Sequence, residues 1–201
     1  MLHTAFNKCH EAGAYPEGYR KLAKALGGVN KYGKDTPIPL SKIVESNGLL
    51  DAIWTLRCTL EPSKDIQIEF ASTCAEHVLH FYEDKYPNDD RPRKAIEAAR
   101  ACITDKSQAV WAAARDVARA AARAAWEAAG AAAEADAEAA WAAAEAAAEA
   151  AEAAAGAAAW AAGDAAGAAA WAAARAAAEA DAEADEREWQ TKTFLGLLKK
   201  K

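Results

Sequence analysis

The sequence predicts an all-α protein, a multi-helix bundle with long alanine-rich helices packed closely. Alanine, the best helix former, dominates the second half of the chain, while apolar residues in the first half recur at three- and four-residue steps. Helix-start signals stand at Pro16, Ser41 and Pro92. Leu, Ile, Val and Phe are scarce, so the core is expected to be thin or closely spaced.

In chain order, Thr4 to Ala12 and Pro16 to Leu26 show short helical patterns, and GGVNKYGKDTPIP, rich in Gly, Asn, Asp and Pro, reads as a loop. Residues 1–40 are therefore expected to form an arm or lid outside the core. Ser41 is the expected N-cap of SKIVES, Asn47-Gly48 breaks that turn, and Leu49, Ile53, Leu56 and Leu60 follow at near-helical spacing. After EPSKD comes the clearest amphipathic helix, with Ile66, Phe70, Cys74, His77 or Val78, and Phe81 on one face until Pro87 ends it. The next helix opens in YPNDDRPRKAIEAAR: Pro92 suits a first turn, because its missing N–H would be unpaired there anyway. Asp89 and Asp90 can cap that turn, and Arg93, Glu97 and Arg100 share a face. These elements divide the chain into residues 1–40, a helical core at 41–106, and an alanine-rich region at 107–201 with a C-terminal docking tail.

From Trp111 to about Ala184 roughly two-thirds of the residues are Ala. As one helix this span would exceed about 100 Å with its tryptophans in water, so breaks are expected at Gly130, Gly156, Gly163 or Gly167. Glu134, Glu138, Glu145 and Glu149 draw a polar stripe along it, opposite a face of Ala and Trp141. No strict repeat period is present. The tail regains large side chains in Trp189, Phe194, Leu195, Leu197 and Leu198, which should dock.

The net charge of −6 disfavours a DNA duplex as partner, since that affinity depends on Lys and Arg displacing counterions from phosphates. The alanine-rich stretch is interrupted by charges every few positions, which argues against a membrane span. Cys9, Cys58, Cys74 and Cys102 lack paired spacing and MLHTAFNKCH lacks a secretory pattern, so a cytoplasmic protein with free, mostly buried thiols is expected.

Chemistry is sparsely signalled. CAEHVLH supplies metal-ligand types in Cys74, His77 and His80, but His80 falls about 120° from the face shared by the other two, and no fourth ligand is spaced to join them. No nucleophile motif accompanies the histidines, no glycine-rich phosphate loop is present, and neither catalysis nor a cofactor is expected. Arg115, Arg119 and Arg123, four apart beside Trp111 and Trp126, either hold an anion between guanidinium forks and a stacking ring or form a solvated face paired with glutamates. An ice-binding helix would need a regular Thr face, and Thr is absent from Val110 to Asp185.

The segment from about Ser46 to Ala101, through CAEHVLHFYE and YPNDDRPRKAIEAAR, resembles an immunity protein family associated with bacterial toxin systems and also found in phage genomes. The resemblance implies an all-α protein that acts by binding. It also implies late histidines around a Gly-His pair, where here Gly163 is followed by Asp164. Arg91 and Arg93 then become candidates for a charge-assisted bond tying the helix start to the preceding helix, or for ligand binding.

Three functions remain open on the sequence. One is an immunity-type protein that neutralises a toxin or defence component by stoichiometric contact through Glu134, Glu138, Glu145 and Glu149. Another is a phage-encoded sponge for a small anionic nucleotide messenger, lined by Arg115, Arg119, Arg123 and Trp126. The third is an assembly protein whose small-residue faces pair between chains.

Overall fold

The computed structural model of the chain describes residues 1–114, 116–117, 120 and 183–199. It is all-α: helices α1 (Phe6–Glu11), α2 (Pro16–Ala25), α3 (Val29–Tyr32), α4 (Leu40–Asn47) and α5 (Leu49–Thr55) lead through a 3-10 turn (Leu56–Cys58) to α6 (Lys64–Val78), α7 (His80–Glu83) and α8 (Arg91–Thr104). Helix α9 is described over 108–114 and α10 over Glu183–Lys199. Two short strands, β1 (His3–Thr4) and β2 (Ile38–Pro39), pair antiparallel with His3 opposite Pro39 and Thr4 opposite Ile38. Among the described residues no helix is long and apolar enough to cross a membrane. The chain divides into two compact units, Met1–Ile66 with Thr191–Lys201, and Gln67–Gln190.

In the first unit the N-terminal forty residues are core rather than arm. Leu2, Phe6, Cys9, Leu22 and Ile38 are buried together with Leu40, Ile43, Ile53 and Leu56. The Leu40 amide donates to the Leu2 carbonyl at 3.1 Å and the Leu60 amide to the His3 carbonyl at 2.8 Å. A two-residue strand has no period to read, and that is why Thr4 was expected inside a helix that in fact begins at Phe6. The expected loop also contains α3 and β2. With Ile38–Pro39 held against β1, α4 starts at Leu40 behind Pro39, and no side chain caps it, so Ser41 is not the N-cap. The Asn47-Gly48 break is where the sequence puts it. Gly48, at φ 101° and ψ 176°, ends α4 and opens α5. Leu60 lies past the 3-10 turn and is largely exposed, not on the helical face expected for it. The tail forms α10, and Phe194 and Leu198, four apart, are buried as the docking expectation requires.

In the second unit α6 is buried on more than one face. Phe70, Ala71, Cys74, Ala75 and Val78 are inaccessible, and so are Gln67 and Ser72. It stops at Val78, and Phe81 falls on the separate short helix α7. Ile68 meets Ala99, Cys102 and Ala114 from α8 and α9, with Val110 and Trp111 packed against them. Alanines at this junction let the helix backbones approach closely, the geometry expected of a chain short of large aliphatic residues. The start of α9 is fixed locally, since the Ser107 hydroxyl accepts from the Val110 amide at 3.4 Å.

Candidate functional site

The first unit carries a concave apolar pocket of about 230 Å³. Its lining comes from α1, α2, α4 and α5, with Tyr15 and Leu50 exposed, Tyr19 and Trp54 half-buried, and Cys9 and Leu22 buried. Ala52 and Ile53 are buried while Leu50 is turned outward, and Trp54, four residues on, lies on the Leu50 face. Leu50 is 55% exposed and Tyr15 74% exposed. Two large apolar groups are thus held in water beside a cavity.

The polar side of the pocket is ordered. Asn47 Nδ2 donates to the Gly18 carbonyl at 2.9 Å and to Asp51 Oδ2 at 2.7 Å, and its Oδ1 accepts from the Ser46 hydroxyl at 2.8 Å. Asp51 comes so near Gly18 that a Cβ there would lie 2.8 Å from Oδ2, so the glycine lets α2 approach α5. The Arg57 guanidinium stands 4.9 Å from the Trp54 ring centroid and its Nε donates to the Trp54 carbonyl at 3.0 Å. Among the described residues that line the pocket, Asp51 is the charged one and no Lys or Arg is present.

The arginines singled out in the sequence fall into two groups. Arg91 and Arg93 both stand at the start of α8. Arg91 grips Asp89 through Nε at 2.9 Å and Nη2 at 2.6 Å, and its own amide donates to Asp89 Oδ1 at 3.1 Å. Asp89 Oδ2 also accepts from the Tyr82 hydroxyl at 2.6 Å, so one carboxylate ties the start of α8 to α7. The Arg91 hydrogen bonds hold the Asp89 carboxyl well below the usual carboxylate range, against burial and with help from Tyr82. Burial, then Asp89, pushes the Tyr82 phenol up. Arg93 makes a forked pair with Glu83, Nε to Oε1 at 2.7 Å and Nη2 to Oε2 at 2.5 Å. Arg100 reaches Glu76 at 2.7 Å and Glu69 at 3.6 Å on α6, so Arg93 and Arg100 pair with earlier helices, the bond to the preceding helix offered for Arg93, rather than with Glu97 on the face they share with it. Asp90 does not cap with its side chain, which pairs instead with Lys94 at 2.8 Å. Arg115, Arg119, Arg123 and Trp126 lie outside the described residues, as do Glu134, Glu138, Glu145 and Glu149.

The residues of CAEHVLH are used separately. His77 Nε2 meets Glu186 Oε2 at 3.1 Å and its ring stacks on Trp189, centroids 3.7 Å apart and planes 8° from parallel. Glu186, 3% exposed, also accepts from Gln190 Nε2 at 2.8 Å. Cys74 is buried, and burial, then the nearby Glu186 charge, raises its thiol. His80 Nδ1 lies 3.1 Å from the His77 carbonyl. Among the described residues no group of three or more His, Cys, Asp or Glu is arranged to hold a metal ion.

Fold and pocket together define an all-α protein with a small, open apolar cleft. No family model matches the chain, and no curated protein or solved structure matches it either. The pocket residues Tyr15, Asn47, Leu50, Asp51 and Trp54 escaped the sequence reading. The available signal was Leu50 in the Leu49-Leu50 doublet, with Trp54 one turn further along the same face.

Proposed function

We propose that the chain is a non-enzymatic, immunity-type or anti-defence binding protein that neutralises a toxin or defence component by stoichiometric contact. The observation that carries this reading is the pairing of exposed Tyr15 and Leu50 around a pocket whose charged lining residue is a carboxylate. Interfaces draw their affinity from a few large anchors seated in such pockets. A net charge of −6, with Asp51 in the pocket, suits a basic protein partner that inserts an aliphatic or aromatic side chain beside a cation. A nucleotide messenger fits this pocket poorly, because its phosphates would face Asp51 without a guanidinium or ammonium among the lining residues.

The test is capture of a partner by tagged chain, followed by light scattering of the complex. One basic protein bound one to one, and lost on Leu50→Asp, is the expected result. Leu50 is exposed, so that change should leave stability within about 0.5 kcal/mol. A partner retained undiminished by Leu50→Asp and by Tyr15→Ala would remove the pocket from the reading. A melting-temperature rise with a cyclic or ADP-ribose-type nucleotide, and no protein partner, would replace binding to a protein with messenger sequestration.

A further inference from the structure

Beneath the same pocket two thiols that are distant in sequence meet. Cys9 Sγ, in α1, and Cys58 Sγ, at the end of the 3-10 turn, are 4.0 Å apart across a sequence separation of 49. Both are free and buried. The Thr4 hydroxyl donates to the Cys58 carbonyl at 2.7 Å, and its oxygen lies 3.5 Å from Cys9 Sγ and 3.7 Å from Cys58 Sγ. A disulfide requires about 2.05 Å between the sulfurs, so the two must approach by about 2 Å. Of the two sulfurs, it is Cys9 that lines the pocket, so a small reagent entering between Tyr15 and Leu50 meets Cys9 first.

We propose that Cys9 and Cys58 form a reversible dithiol/disulfide pair, closed by exchange with a small aliphatic disulfide that enters through the apolar pocket. Cys9, as thiolate, attacks one sulfur of the reagent R–S–S–R, forming Cys9–S–S–R and releasing RS⁻, which takes up the proton Cys9 gave up. Cys58 then loses its proton and attacks the Cys9 sulfur, forming the Cys9–Cys58 bond, breaking the Cys9–S–S–R bond and displacing the second RS⁻, which takes up the proton from Cys58. Two protein thiols are oxidised and one disulfide is reduced to two thiols.

The order of attack follows from access, since Cys9 lines the pocket and Cys58 does not. The hydrogen bond from Cys58 holds the Cys9 thiol below its ordinary value against the effect of burial, while the same contact and burial push Cys58 up. Cys74 lacks such activation, because burial and then Glu186 raise its thiol. Closing the bond tethers α1 to the 3-10 turn and takes the free thiol from the pocket floor, so the oxidised pocket differs from the reduced one. The pair stands on its own geometry and holds whether or not the pocket receives a protein.

The experiment incubates the reduced full chain, folded, with bis(2-hydroxyethyl) disulfide, a small aliphatic disulfide, then alkylates under denaturing conditions and maps peptides by mass. Expected is a loss of two hydrogens per chain with no hydroxyethylthio group retained, a Cys9–Cys58 cross-linked peptide, and Cys74 and Cys102 both alkylated. Dithiothreitol should reverse the loss, and the oxidised chain should melt higher, since its unfolded state is tethered across a long loop. Cys58→Ser should stop at a Cys9–hydroxyethylthio mixed disulfide, whereas Cys9→Ser should remain unmodified at Cys58. An unchanged mass at saturating reagent, a cross-link to Cys74 or Cys102, or a mixed disulfide persisting on the unsubstituted chain would overturn the proposal. The peptide map of the unsubstituted chain decides even where a variant folds poorly.

Discussion

Asp89 gathers the Tyr82 hydroxyl, the Arg91 amide and the Arg91 guanidinium on one carboxylate, whereas Asp90 beside it meets Lys94 in solvent. Identical side chains one residue apart should therefore differ sharply when removed. Asp89→Ala strands the hydroxyl of Tyr82, 1% exposed, and breaks a bidentate pair, so a loss of about 2–4 kcal/mol is expected in urea unfolding. Asp90→Ala should cost at most about 0.5 kcal/mol, as exposed pairs do. Equal losses would refute the assignment. The sign of the acid dependence follows from the depressed Asp89 value: the unfolded carboxyl, near about 3.9, takes its proton first as pH falls. The Asp89 contribution is complete above that value and is lost as pH drops from about 4 toward the lower folded value, so the stability gap between the unsubstituted chain and Asp89→Asn should narrow there. YPNDDRPR announced a capped, arginine-bearing helix start. Which acid does the work was not legible, because it depends on a turn, the Asp89 amide bonding to the Tyr86 carbonyl at 3.0 Å, that brings Asp89 back over Tyr82.

Two glycines in helical surroundings have opposite expected effects. Gly48 joins α4 to α5 at φ 101° and ψ 176°, a region closed to side chains, although an added Cβ would meet nothing within 4 Å. Gly48→Ala should therefore cost about 1–3 kcal/mol through the backbone alone. Gly196 lies inside α10, also with open space around an added Cβ, and Gly196→Ala should stabilise by about 0.5–1 kcal/mol. Thermal unfolding of the two variants checks the signs, and a neutral Gly48→Ala would mean that the α4–α5 junction tolerates another path. Elements bounded by local chemistry were legible: α2 behind Pro16, the break at Gly48, and α8 through Pro92. Elements created by distant contact were not. Pairing of His3–Thr4 with Ile38–Pro39 sets where α1 and α4 begin, and neither strand is long enough to show alternation. The pocket was illegible for a related reason, since four separate helices build it and only Leu50 with Trp54 left a trace.

At the scale of the whole chain, the first residues tie together distant parts of the first unit. Leu2 is bonded to Leu40, His3 to Leu60 and Glu61, and Thr4 to Cys58, so the N-terminus closes the first unit around its latest turns. His3 donates its amide to Glu61 Oε2 at 2.7 Å, and its ring nitrogen lies 2.8 Å from Oε1. Although burial pushes the Glu61 carboxyl up, these contacts bring it below its ordinary value. An arm could be removed with little effect, because exposed termini contribute few contacts. Here removal of residues 1–4 strips out Leu2, 1% exposed, and Thr4, fully buried, together with the β1–β2 pairing. Loss of a buried leucine costs about 2–5 kcal/mol and each buried hydrogen bond about 1 kcal/mol, a sum that rivals the whole stability of an ordinary domain, about 5–15 kcal/mol. The truncated chain should accordingly unfold far below the intact one, or fail to give a cooperative transition by circular dichroism. Leu2→Ala, at about 2–4 kcal/mol, should remain folded and report the same dependence in milder form. If both chains melted within about a degree or two of the intact protein, the N-terminus would be an arm after all, since a domain-sized melting transition moves several degrees per kcal/mol.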